Sequence, residues 1–218
     1  LRFTPLYRLQ HTNTYTVKSF IVAFCLLSLI SCKERSKSQI EKDTLPGEYF
    51  ELKEDDIKLF LPVYFREFSE ETYGALIDSL PDSYEKQMEK KRFDFLKFSK
   101  GNTYYFRDAA SSTLITVKMQ KYLPFSKQES SFLLGILSNQ CADYAFAVGG
   151  ECNKIQGRYS GNARTKVFKA VYELSKDVGY SYFNTIYLIS SNYKTLSVNI
   201  YSNALQDYNK FIAKTVVK

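Results

Sequence analysis

The sequence predicts an α+β domain in which an antiparallel sheet meander is packed by helices. Three observations predict it. Four strand-like runs follow one another between residues 155 and 202, and antiparallel neighbours are what short connections allow. Helix-start signals stand at Ser69, Asp82, Ser126 and Asn203, each ahead of apolar residues at helical spacing. Hydrophobic residues make up 44% and charged residues 24%, the balance of a chain with a packed core.

The elements follow in order. Residues 49–52 and 57–61 flank the acidic turn Lys53-Glu54-Asp55-Asp56 and read as a hairpin. Ser69 caps a helix with Glu70 and Glu71 in its first turn, running through Leu76, Ile77 and Leu80 until Pro81 interrupts it. Asp82 caps a second helix to about Phe98, with Tyr84, Met88, Phe95 and Phe98 as its apolar contributors. The interleaved Lys and Glu of residues 85–92 read as its solvated face. After the turn Lys100-Gly101-Asn102, residues 103–107 and 114–119 are rich in strand formers.

Ser126 and Glu129 form a capping box. Behind it Phe132, Leu133, Ile136, Leu137, Tyr144 and Ala145 recur at helical spacing, until Gly149-Gly150 stops the helix. Residues 155–159, 166–174, 180–190 and 195–202 then read as strands. In the last of these Leu196, Val198 and Ile200 point inward, and Ser197, Asn199 and Tyr201 outward. Asn203 caps a closing helix whose face is Leu205, Tyr208, Phe211, Ile212 and Val216.

Ahead of this body lies a different kind of sequence. Residues 20–30, FIVAFCLLSLI, are eleven residues without a charge, too few for a span of about 20 and right for the apolar core of a signal peptide. Lys18 supplies the positive start, and the polar run of residues 33–43 follows. Leu29-Ile30-Ser31-Cys32 resembles the lipobox of bacterial lipoproteins. The resemblance implies cleavage before Cys32 and acylation of its thiol and new amine. It gives residues 1–31 as signal peptide, 32–47 as a lipidated flexible tether and 48–218 as one α+β domain. The competing reading is a buried or cytoplasmic N-terminal helix with a chance Cys. A start at Val17 would suit the signal better, and residues 1–16 would then be untranslated upstream sequence. Lys33 stands where Asp would retain an enteric-type lipoprotein in the inner membrane. By that resemblance the outer membrane is expected, with Lys33-Glu34 open to a surface-export reading.

The body has its own likeness. A charged hairpin leads into Leu61-Pro62-Val63-Tyr64-Phe65 and a helix, and a later meander ends in Ser197-Val198-Asn199-Ile200-Tyr201-Ser202 and a closing amphipathic helix. This order of elements resembles the PsbP-like α-β-α sandwich of many small secreted lipoproteins. The resemblance implies binding and assembly roles and carries no catalytic residue.

The signal removes Cys25, and Cys32 is the acylation site. That leaves Cys141 and Cys152, eleven residues apart, which an exported protein readily oxidises. A disulfide between them is expected, against two separate buried thiols. Their spacing is not that of a redox CxxC, and zinc would need two further ligands.

Charge and histidine bound the chemistry. The chain has 30 basic and 23 acidic residues, net +7. Arg2, Arg8 and Lys18 lie in residues 1–31 with no acid, so the remainder carries 27 bases against 23 acids, a net +4. The single histidine, His11, falls in that same first stretch. A Ser-His-Asp or Cys-His centre and the His-based metal motifs therefore cannot be built beyond it. No phosphate-loop or dinucleotide motif is present; Gly149-Gly150-Glu151 reads as a helix stop, and no cofactor is implied. Glu54-Asp55-Asp56 and Glu70-Glu71 sit where turns and helix starts favour acids.

Lys154, Arg158, Arg164, Lys166 and Lys169 cluster near one end of the expected sheet. They read either as alternating solvent positions on strands or as a contact for anionic lipid headgroups or peptidoglycan. The modest basic excess argues against a nucleic-acid partner. With 18 Tyr and 17 Phe, some rings are expected at the surface, suited to a glycan or another envelope protein. The leading expectation is a lipid-anchored, non-catalytic envelope module. The alternative is an envelope hydrolase using carboxylates or a Ser-Lys pair, and a weaker third reading is a carrier of an apolar ligand between sheet and helix.

Overall fold

The structure, a computed structural model, describes residues 45–108, 110–176 and 181–218. The expectations for the signal peptide, Cys25, Cys32 and nearly all of the tether lie outside the described residues. A hairpin of β1 (Gly47–Leu52) and β2 (Ile57–Pro62) opens the body, turning at Asp56 in the left-handed region, φ 54°. β3 (Phe65–Phe68) leads into helices α1 (Glu70–Ser79) and α2 (Tyr84–Phe98). β4 (Thr103–Asp108) and β5 (Leu114–Gln120) precede helix α3 (Ser130–Ala147). The meander β6 (Glu151–Gly161), β7 (Thr165–Ser175), β8 (Ser181–Ser191) and β9 (Lys194–Ser202) follows, then a one-turn α4 (Asn209–Ile212) and β10 (Val216–Val217).

Seven strands form one sheet in the order β3-β4-β5-β9-β8-β7-β6, and β1-β2-β10 form a second. Every pairing is antiparallel. The chain is α+β, with a meander sheet packed by helices. The large sheet is covered on both sides. On one side α1, α2 and α3 enclose a core that includes Tyr73, Met88, Leu137, Phe168 and Tyr201. On the other the small sheet and α4 enclose Leu59, Phe106, Val198, Tyr208 and Val217.

Four element readings differ from the expectation. The polar side of β9, read as outward, lies under helices: Ser197 and Tyr201 are buried while Leu196, Val198 and Ile200 fill the opposite core. The second helix is capped by Ser83, whose Oγ accepts from Lys86 N at 3.2 Å, and not by Asp82. Half of the Ser126 box forms, with Glu129 accepting from Ser126 N at 2.8 Å, and α3 begins at Ser130. The closing helix shrinks to one turn because Val217 pairs with Ile57 on β2 and fills the second core, leaving Leu205 and Val216 exposed. Two consecutive valines after Thr215 favour such an edge pairing over helix.

Candidate functional site

Helix α2 places a charged pair where an apolar stripe is expected. Its sheet-facing side is Met88, Glu89, Arg92, Phe93 and Leu96. Phe95 and Phe98, read as core residues, are 71% and 89% exposed, and the interleaved charges read as solvated include Glu89 and Arg92, only 4% and 5% exposed. Residues three and four apart share a helix face. The line 89, 92, 93 and 96 therefore turns inward together with Met88, while Phe95 and Phe98 stay out.

The pair is held from every side. Arg92 Nη2 donates to Glu89 Oε2 and to Tyr73 OH, and Nη1 donates to Thr116 Oγ1 at 3.3 Å. Glu89 accepts further bonds from Tyr73 OH at 2.7 Å and from Tyr182 OH at 3.1 Å. The guanidinium lies 4.3 Å from the ring centre of Tyr201. Burial opposes the charge on Arg92, but the Glu89 carboxylate and the hydroxyls of Tyr73 and Tyr201 raise its pKa above the usual value. Burial also raises Tyr73 well above its normal range and Tyr201 to about 12. Arg92 Nε, Tyr105 OH and Asn184 Oδ1 are buried without a hydrogen-bond partner. The network is therefore a polar filling between α1, α2 and the sheet whose single carboxylate is committed to three donors. A cleft beside it, lined by Leu76, Leu80, Arg107, Ser112, Leu114 and Glu89 among others, has a volume of about 20 Å³. That is room for a water molecule, far short of a substrate pocket of several hundred Å³.

The other buried cation among the described residues, Lys118, works on the backbone. Lys118 Nζ donates to the carbonyls of Leu96, Ser99 and Gly101 at 3.2, 2.9 and 2.8 Å and to Thr103 Oγ1 at 2.9 Å. It closes the C-terminal end of α2, where free carbonyls attract a cation. Burial pushes its pKa down. Ser197 stands opposite it in register, but its Oγ donates to the Lys118 carbonyl at 3.5 Å, so this Ser-Lys neighbourhood lacks the hydroxyl-to-amine contact of a dyad.

The residues singled out from sequence separate. Cys141 and Cys152 are joined as a disulfide with Cα atoms 5.9 Å apart, so the reading as two free thiols falls. The bridge ties α3 to the edge strand β6. The five basic residues do not share a surface. Arg158 pairs in register with Lys169, and Lys169 bonds Asp207 and Asn209 at 3.3 and 3.2 Å on the side of α4. Lys154 pairs with Tyr172, and Lys166 has the parity of Phe168 and Ala170, which puts both on the helix side. Arg164 lies in the turn between. Alternation along a strand divides such runs between two faces. Of the acidic turns, Asp55 accepts from Tyr104 OH at 2.6 Å and Asn102 Nδ2 at 3.1 Å, fastening the hairpin to β4, and Glu70 and Glu71 occupy the first turn of α1. No cluster of three metal-ligating side chains occurs among the described residues.

The exposed feature is the outer side of the helical layer. Leu133, Leu137, Cys141 and Ala145 form the buried line of α3. Phe132 and Phe146 on its other faces are 71% and 86% exposed, and Ile136 is exposed too. Residues 130–147 hold one charge, Asp143, and apolar residues occur all round the helix, with Ser131, Asn139 and Gln140 beside them on its exposed side. The scarcity of charge is visible in the sequence. No helix among the described residues is long and apolar enough to cross a membrane.

No family model matches the chain, and no curated protein matches it. Among solved structures it is similar to the solution structure of cyanobacterial PsbP (CyanoP) from Synechocystis sp. PCC 6803, with a TM-score of 0.52 and 8% identity. The match covers 80% of this chain and 94% of that one. The likeness is one of fold, and it bears out the PsbP-like order of elements.

Proposed function

We propose that the protein is a lipid-anchored module of the bacterial cell envelope that binds or assembles and does not catalyse. The anchor is acylated Cys32, and the outer membrane is its destination. One observation carries the binding reading: the carboxylate of the buried network, Glu89, is committed to three donors, whereas phenylalanines of α2 and α3 stand exposed. Enzymes keep a reactive group facing a substrate-sized cleft; here the cleft beside Glu89 holds about a water's volume. The leader residues support the anchor, with a basic start, an eleven-residue apolar run and Leu29-Ile30-Ser31-Cys32. Once several acyl chains are attached, membrane residence is effectively permanent, at about 0.8 kcal/mol per buried CH₂.

The test is expression in a bacterial host with labelled palmitate and mass spectrometry of the N-terminal peptide. The expected result is a labelled membrane protein beginning at modified Cys32, with Cys32→Ser unlabelled and uncleaved. An unlabelled wild-type chain would sink the anchor. Crosslinking of the anchored protein followed by pull-down tests for a specific partner, and recovery of bulk lipoproteins alone would remove that part.

A further inference from the structure

We infer that the outer face of α2 and α3 is itself a membrane-docking surface for an anionic bilayer, separate from the acyl anchor. This rests on the envelope reading above, though not on acylation of Cys32. The two helices touch where Tyr144 OH donates to the Met88 carbonyl and Lys91 Nζ to the Ala147 carbonyl. Phe95 follows Lys91 by one turn on the same side of α2, and Phe98 follows it by another. On α3, Phe132 and Ile136 are likewise one turn apart, and Phe146 extends the apolar set toward the C-terminal end.

The chemistry selects the occupant. These rings stand on separate turns at 71–89% exposure, as knobs on two convex helices. A folded partner would need a matching hole for each, whereas acyl chains and headgroups close around any such knob. Protein hot spots favour Trp, Tyr and Arg; this surface carries Phe and Ile with lysine, the composition of interfacial helices. Lys90, Lys91, Lys97 and Lys100 are exposed on α2 and the turn after it, with Lys97 Nζ over the Phe93 ring, against Asp94 on α2 and Asp143 on α3. Lys154 and Lys166 lie on the same side of the sheet. The acids Glu70, Glu71 and Asp78 belong to α1, beyond the Phe93–Gly74 contact that marks the opposite flank of α2. Exposed lysines thus outnumber acids around the rings of α2, and an anionic surface draws juxtamembrane lysines. The fifteen residues from Cys32 to Pro46 span at most roughly 50 Å, so an anchored body stays within reach of the bilayer.

The experiment uses a form beginning at Lys33, which keeps the whole described body and lacks Cys32. It is floated with vesicles of phosphatidylcholine, with and without phosphatidylglycerol. The expected result is co-flotation with the anionic vesicles, weakened at least roughly tenfold by Phe95→Ser with Phe98→Ser. Lys90→Gln, Lys97→Gln and Lys100→Gln together weaken it at low salt, and the difference shrinks as salt screens the attraction. All five positions are exposed, so circular dichroism and melting should match wild type. The idea is overturned by absence from the floated fraction, by flotation indifferent to the phenylalanines, or by concentration-dependent dimerisation that those substitutions abolish. Flotation of this form together with an unlabelled Cys32 in cells would overturn the anchor and leave the docking face standing; the reverse pair of results would do the opposite.

Discussion

Arg92 and Glu89 carry the largest residue-scale consequence. Removing one member of a buried ion pair strands the other charge, at a cost of about 3–5 kcal/mol, whereas removing both in favour of apolar side chains is often neutral. Arg92→Met should therefore lower stability by about that amount in urea unfolding, and Arg92→Met with Glu89→Leu should recover much of it. Equal losses in the single and double variants would contradict the reading. The tyrosines around the pair add a pH dependence. Burial raises Tyr105 and Tyr201 to about 12 in the folded chain. The unfolded value is about 10, so their contribution is complete below pH 10 and lost as pH rises toward 12. A melting temperature that falls through this window, less steeply in Tyr201→Phe, is the expected result. These residues were hard to read in the sequence because Glu-x-x-Arg on a helix is ordinarily a surface pair. The facing hydroxyls that make burial tolerable, Tyr73 and Tyr182, come from chain segments 16 and 93 residues from Glu89.

At the scale of elements, local signals and tertiary outcomes part in an orderly way. The Ser69 cap formed as read, accepting from Thr72 N at 3.2 Å, because capping is decided within four residues. The hairpin around Asp56 and the four meander strands formed for the same kind of reason. Helix faces did not follow. Apolar residues lie nearly all round α3, so hydrophobicity alone leaves its rotation undetermined, and the choice falls to its partners. Cys141 bonded to Cys152 and the approach of Leu134 to Gly157, where an added Cβ would meet it at 2.9 Å, fix which side faces the sheet. Closing this short loop is worth about 3 kcal/mol in the chain-entropy model. Cys141→Ser with Cys152→Ser should lose about that much in denaturant unfolding, and a reducing agent should have the same effect on wild type and none on the variant. Equal stability of wild type and the double variant under oxidising conditions would refute the bridge's contribution.

For the whole molecule, one seven-stranded sheet serves two cores. β5 and β9 join at its centre in register from Leu114↔Tyr201 to Gln120↔Thr195, so neither core can be lost without exposing the back of the other. A single cooperative unfolding transition follows, with far- and near-ultraviolet circular dichroism coinciding in urea. An early separate loss of the small sheet, which the chain end joins through the two residues of β10, would break that expectation. By itself the sequence determined the class, the strands of the meander, the cap at Ser69, the absence of histidine beyond residue 11, and the pairing candidates Cys141 and Cys152. These follow from composition and from patterns a few residues long. Only the tertiary structure decided that both faces of the sheet are covered, that Glu89 and Arg92 go inward while Phe95 and Phe98 stay out, and that Val217 ends as a strand. A side chain's neighbours across the fold set its burial, and those neighbours are distant in the chain.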